Sequence, residues 1–361
     1  VSDNLFDRLF ELLSSPGPVN WKLGREIAES LAGAAEVVEP KLAEEYEELT
    51  LAAQLHLAGA ISLEVSTTRA IHPIDRRGWA EENEQSFRYL IEPLAAKFGG
   101  GMASPLLGPM APAILGIQGG TMVGFMSHRV LGQFDTGLPA LDHDKLFLVV
   151  PNVETFARDN AIDAQQVRMW AALREVTNHA IINVPWVRKY FIDAVSAFYA
   201  TVEFDPSGLT DLFAGGEGEL GPDPAALEGL VDEPGGLARL LGSSHDPTAL
   251  EPIQAFLAFI EGFGDYTVRT ASGDLIPQLD AIEAAMNLRR AEPNEAEQFL
   301  QQLLGLRLDR HLAGDAAGFC DDVARRWGTE VLDKLWEKPE ELPTVTELAD
   351  PVGWAARVLL D

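Results

Sequence analysis

Arg174-Glu175-Val176-Thr177-Asn178-His179 holds a carboxylate where a zinc-hydrolysis helix keeps its general base. Such a helix reads His-Glu-x-x-His. Two imidazoles one turn apart on one face bind Zn²⁺, and the Glu between them activates a water. Glu175 occupies the base position, but the two ligand positions are Arg174 and Asn178. A guanidinium has no lone pair for a metal, and a neutral amide is a poor zinc ligand. His179 comes one residue too late and points about 100° further round the helix. The spacing suggests a hydrolase scaffold, while the residue types argue against the hydrolysis.

Other polar groups offer less. Asp142-His143-Asp144 is a dense cluster placed where a surface turn belongs. His56, His245 and His311 have no partners at ligand spacing, His72 lies in a loop before Pro73, and His128 lies at a helix end. No Gly-x-Ser-x-Gly elbow is present. The lone cysteine, Cys320, excludes an internal disulfide and sits among apolar and acidic neighbours that raise a thiol pKa, so a buried helix position is expected.

The elements that position these residues read as mostly helical. Leu5, Phe6, Leu9, Phe10 and Leu13 recur at helical spacing, and further helices are predicted over 21–31, 40–63 and 79–98. In the 40–63 helix, Leu49, Leu51, Ala52, Leu55, Ala58 and Leu63 are expected to face the core. Gly116, Gly119, Gly120 and Gly124 suit close helix packing better than a phosphate loop, which would need a preceding strand. Leu146 to Val150 is the clearest strand. Asp163 then caps a helix that runs through Glu175 to Ile182. Helices follow over 247–270, 274–288, 295–304, 309–327 and 329–336. Residues 203–233 carry nine acidic side chains and no Lys or Arg, which reads as a solvated connection.

The whole chain has 361 residues, 47% of them hydrophobic, and a net charge of −29. That charge repels nucleic acid and anionic membranes. No run of about 18 apolar residues is present, and the absence of a basic N-terminal region with an apolar stretch behind it argues against a signal peptide. A cytoplasmic location is expected. The organisation expected is one unit over 1–361, or two lobes (1–202 and 247–361) joined by an acidic connection over 203–246.

Many short segments in fixed order resemble one family. They are Arg77-Gly78-Trp79 with Asn83, Ser86-Phe87, Glu92-Pro93-Leu94, Arg129 to Asp135, Val149 to Asn152, Trp170 to Glu175, Val184 to Arg188, and Ile260-Glu261-Gly262. Together they resemble the zincin-like type 2 metallopeptidases, one branch of which is designated hydrolases and another linked to deazaflavin-coenzyme biosynthesis. The resemblance implies a mainly α fold with a small zincin-like α+β element, the strand and the motif helix. It also implies an intact His-Glu-x-x-His in some members and a later Glu-Gly helix supplying a third ligand. On this chain those positions are Arg174, Glu175, Asn178 and Glu261, and Arg at the first of them resembles the hydrolase branch.

Two readings follow. In the first, the chain is a hydrolase with an altered site, Glu175 the general base, and zinc held, if at all, by Glu175, His179 and Glu261 with Asp265 helping. In the second, no metal is expected: Arg174 takes the cation's place, pairs with Glu175 or Glu261, and leaves a binding or scaffold protein lined by Arg174, Asn178, His179, Glu261 and Asp265. A peptide or small-molecule ligand suits either reading.

Overall fold

The computed structural model describes residues 17–65, 71–99, 111–135, 138, 140, 145–202, 246–291 and 310–360. The Asp142–Asp144 cluster, the acidic connection over 203–233, the N-terminal helix over 5–13 and the helix over 295–304 lie outside the described residues.

Helix α1 (Trp21–Ala32) starts where the Asn20 side chain accepts the Leu23 N–H at 3.1 Å. It lies against α5 (Ala111–Ser127), where a Cβ on Gly120 would run into the Gly24 backbone. The glycines therefore serve helix approach, as their spacing suggested. Among the described residues no helix is long and apolar enough to cross a membrane.

Helix α2 (Pro40–Leu57) buries Tyr46, Thr50, Ala53, Gln54 and Leu57, while Leu51 and Leu55 are exposed. The expected face is thus rotated. The buried stripe at i, i+4, i+7, i+8 and i+11 includes two polar residues, and Thr50 avoids a penalty by donating to the Tyr46 carbonyl at 2.8 Å. The predicted 79–98 helix is two: α3 (Arg76–Asn83), capped by Asp75, and α4 (Arg88–Gly99), which contains Pro93. Asn83 turns back to bond Gln133 rather than continue the first helix's surface.

Two short strands pair in parallel, β1 (Ile71–Ile74) with β2 (Leu146–Val149), Ile71 opposite Leu146. Residues 131–133 run along the other side of β2. The Gln133 N–H reaches the Phe147 carbonyl at 3.1 Å, and the Val149 N–H reaches that of Leu131 at 2.9 Å. β2 is covered on both edges and both faces, which accounts for its unbroken apolar run. Val150 already begins α6 (Val150–Asp159), with Pro151 in its first turn.

Helix α7 (Ala164–Ile182) carries the motif and is capped by Asp163, which accepts the Gln166 N–H at 3.1 Å. It packs on α2, α6, β2 and α9 (Glu251–Ser272). All residues from Trp170 to Ile182 are buried, so its polar side chains must find partners inside the protein. Helix α8 (Val187–Thr201) follows, and α10 (Leu279–Ala291) comes after α9. Helix α11 (Arg310–Trp327) lies along α9 and buries Cys320, whose thiol is pushed far up by that burial. A 3₁₀ stretch (Thr329–Trp336) and helices α12 (Val345–Leu348) and α13 (Pro351–Leu359) close the chain around Trp354. Among the described residues the fold is predominantly helical with one small β element.

Candidate functional site

The site forms where α7 meets α9. Arg174 projects from α7 with its side chain 5% exposed. One guanidinium nitrogen bonds Asp265 directly. A second lies 3.9 Å from Glu261, and Nε lies 3.9 Å from Asp135 in the segment beside β2. The cation also lies 5.6 Å from the Trp170 ring, one turn back on α7.

Of the two expected partners, Glu261 pairs with Arg174 at 3.9 Å and Glu175 does not, while Asp265 is the close partner. Glu261 forms a 2.7 Å ion pair with Arg290 of α10, and Arg290 reaches the second Asp265 oxygen at 3.3 Å. Glu261 and Asp265 are one turn apart on α9 and present both carboxylates to both guanidinia. Burial works against the Asp265 charge, yet Arg174 and Arg290 outweigh it and hold this carboxyl below its usual range. Burial likewise opposes the Arg290 charge, and Glu261, Asp265 and Asp135 reverse the effect.

Glu175 points elsewhere. Its Oε2 accepts the Phe134 N–H at 2.9 Å, and it is 2% exposed. Burial and the Asp135 charge push its pKa to about 8, against the opposing pull of the Phe134 amide, Arg174 and the Gln133 backbone. Gly132 permits this arrangement, because a Cβ there would fall on the Glu175 carboxyl group. The loop over 130–135 is fixed from several sides. Asn152 donates to the Ser127 and Val130 carbonyls at 2.8 and 2.7 Å, Asn83 and Gln133 exchange amide bonds at 3.0 and 2.6 Å, and Asp135 accepts the Leu131 N–H at 3.0 Å.

Asn178 lies one turn beyond Arg174. Its amide donates to the Phe134 carbonyl at 3.4 Å, and a side chain at Gly264 of α9 would meet its Oδ1 at 3.4 Å. His179 sets its ring 5.9 Å from that of Phe134 and accepts from the Asn183 amide at 2.9 Å. The structure therefore brings Arg174, Glu261 and Asp265 into one charged cluster, with Asn178 at the same helix crossing. Glu175 and His179 bond different partners.

Whether a zinc ion fits can be judged from the donors. Arg174 and Asn178 stand at the two imidazole positions, and Glu261 is engaged by Arg290. Among the described residues no three His, Cys, Asp or Glu side chains gather at metal-holding geometry, so Glu175, His179 and Glu261 do not assemble as a ligand set. These residues do not suit zinc.

Sequence reasoning missed Arg290 and Asp135 as members of the cluster. Arg290 reads as one of two ordinary cations in the last turn of an exposed helix. Asp135 showed only as the last residue of a family-like segment.

A motif helix beside a short covered strand, facing a second helix that carries Glu-Gly, defines a zincin-like architecture. The chain matches the zincin-like metallopeptidase family over residues 19–355, and it belongs to that family. Its fold is similar to a crystal structure from Chloroflexus aurantiacus described as a "putative hydrolase with a novel fold" (TM-score 0.69, 22% identity, 95% of this chain and 99% of that one). No curated protein matches the chain significantly.

Proposed function

We propose that this protein is a non-catalytic member of the family, a binding or scaffold protein that keeps the fold and has Arg174 in place of the metal. The observation that carries this reading is the buried Arg174 guanidinium set among Asp265, Glu261 and Asp135. A fixed organic cation satisfies carboxylates that would otherwise be costly to bury, and it leaves them no free lone pairs in the geometry zinc requires. Glu175 supports the same reading. A general base must reach a water and its substrate's proton, whereas this carboxyl is buried and already accepts a backbone N–H.

The hydrolase alternative would use an altered metal set of Glu175, His179 and Glu261, with Asp265 helping. Metal analysis separates the two. Purified protein incubated with excess Zn²⁺ and then desalted should retain far less than one equivalent by mass spectrometry. One equivalent of tightly held zinc, together with peptide cleavage that Glu175→Gln abolishes, would return the chain to the active hydrolases.

A further inference from the structure

A divalent ion carries two positive charges, and one arginine supplies only one. The second is on α10. Arg290 forms a 2.7 Å ion pair with Glu261, the position where relatives are expected to hold the third metal ligand, while Arg174 stays 3.9 Å from it. Asp265 is divided between them, one oxygen facing Arg174 and the other facing Arg290 at 3.3 Å. Two guanidinia and two carboxylates thus form a charge-balanced square across three helices. Asp135 sits at its edge, 3.9 Å from Arg174 Nε.

We propose that Arg174 and Arg290 together replace the metal, Arg290 being the residue that withdraws Glu261 from the ligand set. The proposal rests on the non-catalytic reading above and extends it to a residue outside the motif. Its physical basis is that a carboxylate paired with a half-buried guanidinium must give up that ion pair before it can ligate a metal. Arg290 is then a positioning residue for α10 as well, because its head group ties the last turn of that helix to α9. The backbone adds a second tie, as the Arg129 guanidinium donates to the Arg289 carbonyl at 2.8 Å and Arg289 donates back to the Arg129 carbonyl.

The consequence is specific. Restoring both histidines in the motif should not restore a site while Arg290 remains. R174H/N178H and R174H/N178H/R290M would be titrated with Co²⁺, following visible absorption and calorimetry. The triple variant should bind one equivalent, about ten- to a hundredfold more tightly than the double, the equivalent of one charge-assisted contact that no longer has to be broken before Glu261 can ligate. Equal affinities in the two variants would overturn the proposal, and so would a folded triple variant that binds no Co²⁺.

Should the triple variant prove unfolded by circular dichroism, double-mutant cycles on urea midpoints decide the matter. The coupling between R290M and E261Q should exceed that between R174M and E261Q, and the reverse order would overturn the proposal. Zinc held by the native protein would instead sink the non-catalytic reading, so the two failures are told apart.

Discussion

Helix α7 carries two arginines, Arg168 half-buried and Arg174 buried, and they are partnered in different ways. Arg168 meets Glu154 through two parallel bonds at 2.7 and 2.8 Å and meets Glu45 at 2.8 Å. The Tyr46 hydroxyl donates to the same Glu154 at 2.7 Å. This is the fork-to-fork match that guanidinium and carboxylate geometry favours, and it staples α2, α6 and α7 together. Six residues on, about 240° round the helix, Arg174 has one close partner and two at 3.9 Å, and its Nε has no hydrogen-bond partner among the described residues. Arg168 has the geometry of a site built for arginine. Arg174 has the geometry of an arginine standing in a space whose carboxylates were arranged around something else. The same side chain on the same helix is a staple in one place and a substitute ion in the other.

The largest effect should separate these two roles. Arg174→Met leaves Asp135, Glu261 and Asp265 with one cation fewer in a buried setting. Its cost should be about 3–5 kcal/mol of folding stability, the range for removing one member of a buried ion pair. Arg168→Met removes charge-assisted bonds nearer the surface and should cost about 1.5–3 kcal/mol. Chemical denaturation of both variants checks the ranking, and an Arg168 cost above that of Arg174 would break the comparison.

The next effect is a pH dependence. Glu175 ordinarily titrates at 4.5 and here at about 8, so the folded protein holds its proton more tightly than the unfolded chain does. Stability must therefore fall as pH rises from 4.5 towards about 8 and level off above that. Summed over that window, the loss is on the order of 5 kcal/mol. Glu175→Gln keeps an acceptor for the Phe134 N–H and should flatten the slope. A slope unchanged by the substitution would show that Glu175 is not the group responsible.

Much of this architecture is legible in the sequence, because helix periodicity and capping are local. The Asp163 cap, the β2 apolar run and the breaks at Gly and Pro mark their elements directly. The face of α2 was misread because Thr50 and Gln54 occupy the buried stripe in place of apolar residues, whereas Leu51 and Leu55 are exposed. Spacing puts Arg174 and Asn178 on one side of α7, and the structure sets both at the crossing with α9. What sequence cannot supply is which distant side chain crosses to meet them. Arg290 lies 29 positions beyond Glu261; the buried Ile282 and Met286 put it on the inward face of its helix, but nothing in the sequence says which carboxylates it meets there. Asp135 takes its place from a loop held by Asn152, Asn83 and Gln133, none of which is near it in pattern.

A smaller effect tests how tightly the loop and α7 are fitted. Gly132→Ala would drive a methyl group into the Glu175 carboxyl. Forced repacking of this kind costs about 1–3 kcal/mol. The displaced carboxyl would lose the Phe134 amide, so Gly132→Ala should also alter the pH slope assigned to Glu175. Thermal unfolding across pH reads both changes. A variant as stable as the parent with the same slope would mean that loop and helix separate easily, and the substitute-ion site would then lack the rigidity argued for it.

The smallest effect returns to the staple. Glu45 bonds Arg168 at 2.8 Å, but its side chain is 44% exposed. Water can replace the carboxylate there, and Glu154 already holds the guanidinium by its other edge. Glu45→Gln should therefore change stability by about 0–1 kcal/mol, less at high salt. The separation is nearly that between Arg290 and Glu261 (2.8 against 2.7 Å), so distance alone would rank the two pairs together; the deeper burial of Glu261 is what sets them apart. If Glu45→Gln proved as costly in urea denaturation as Glu261→Gln, Arg168 would depend on its full ring of partners just as Arg174 does, and the two arginines of α7 would no longer represent different uses of the same charge.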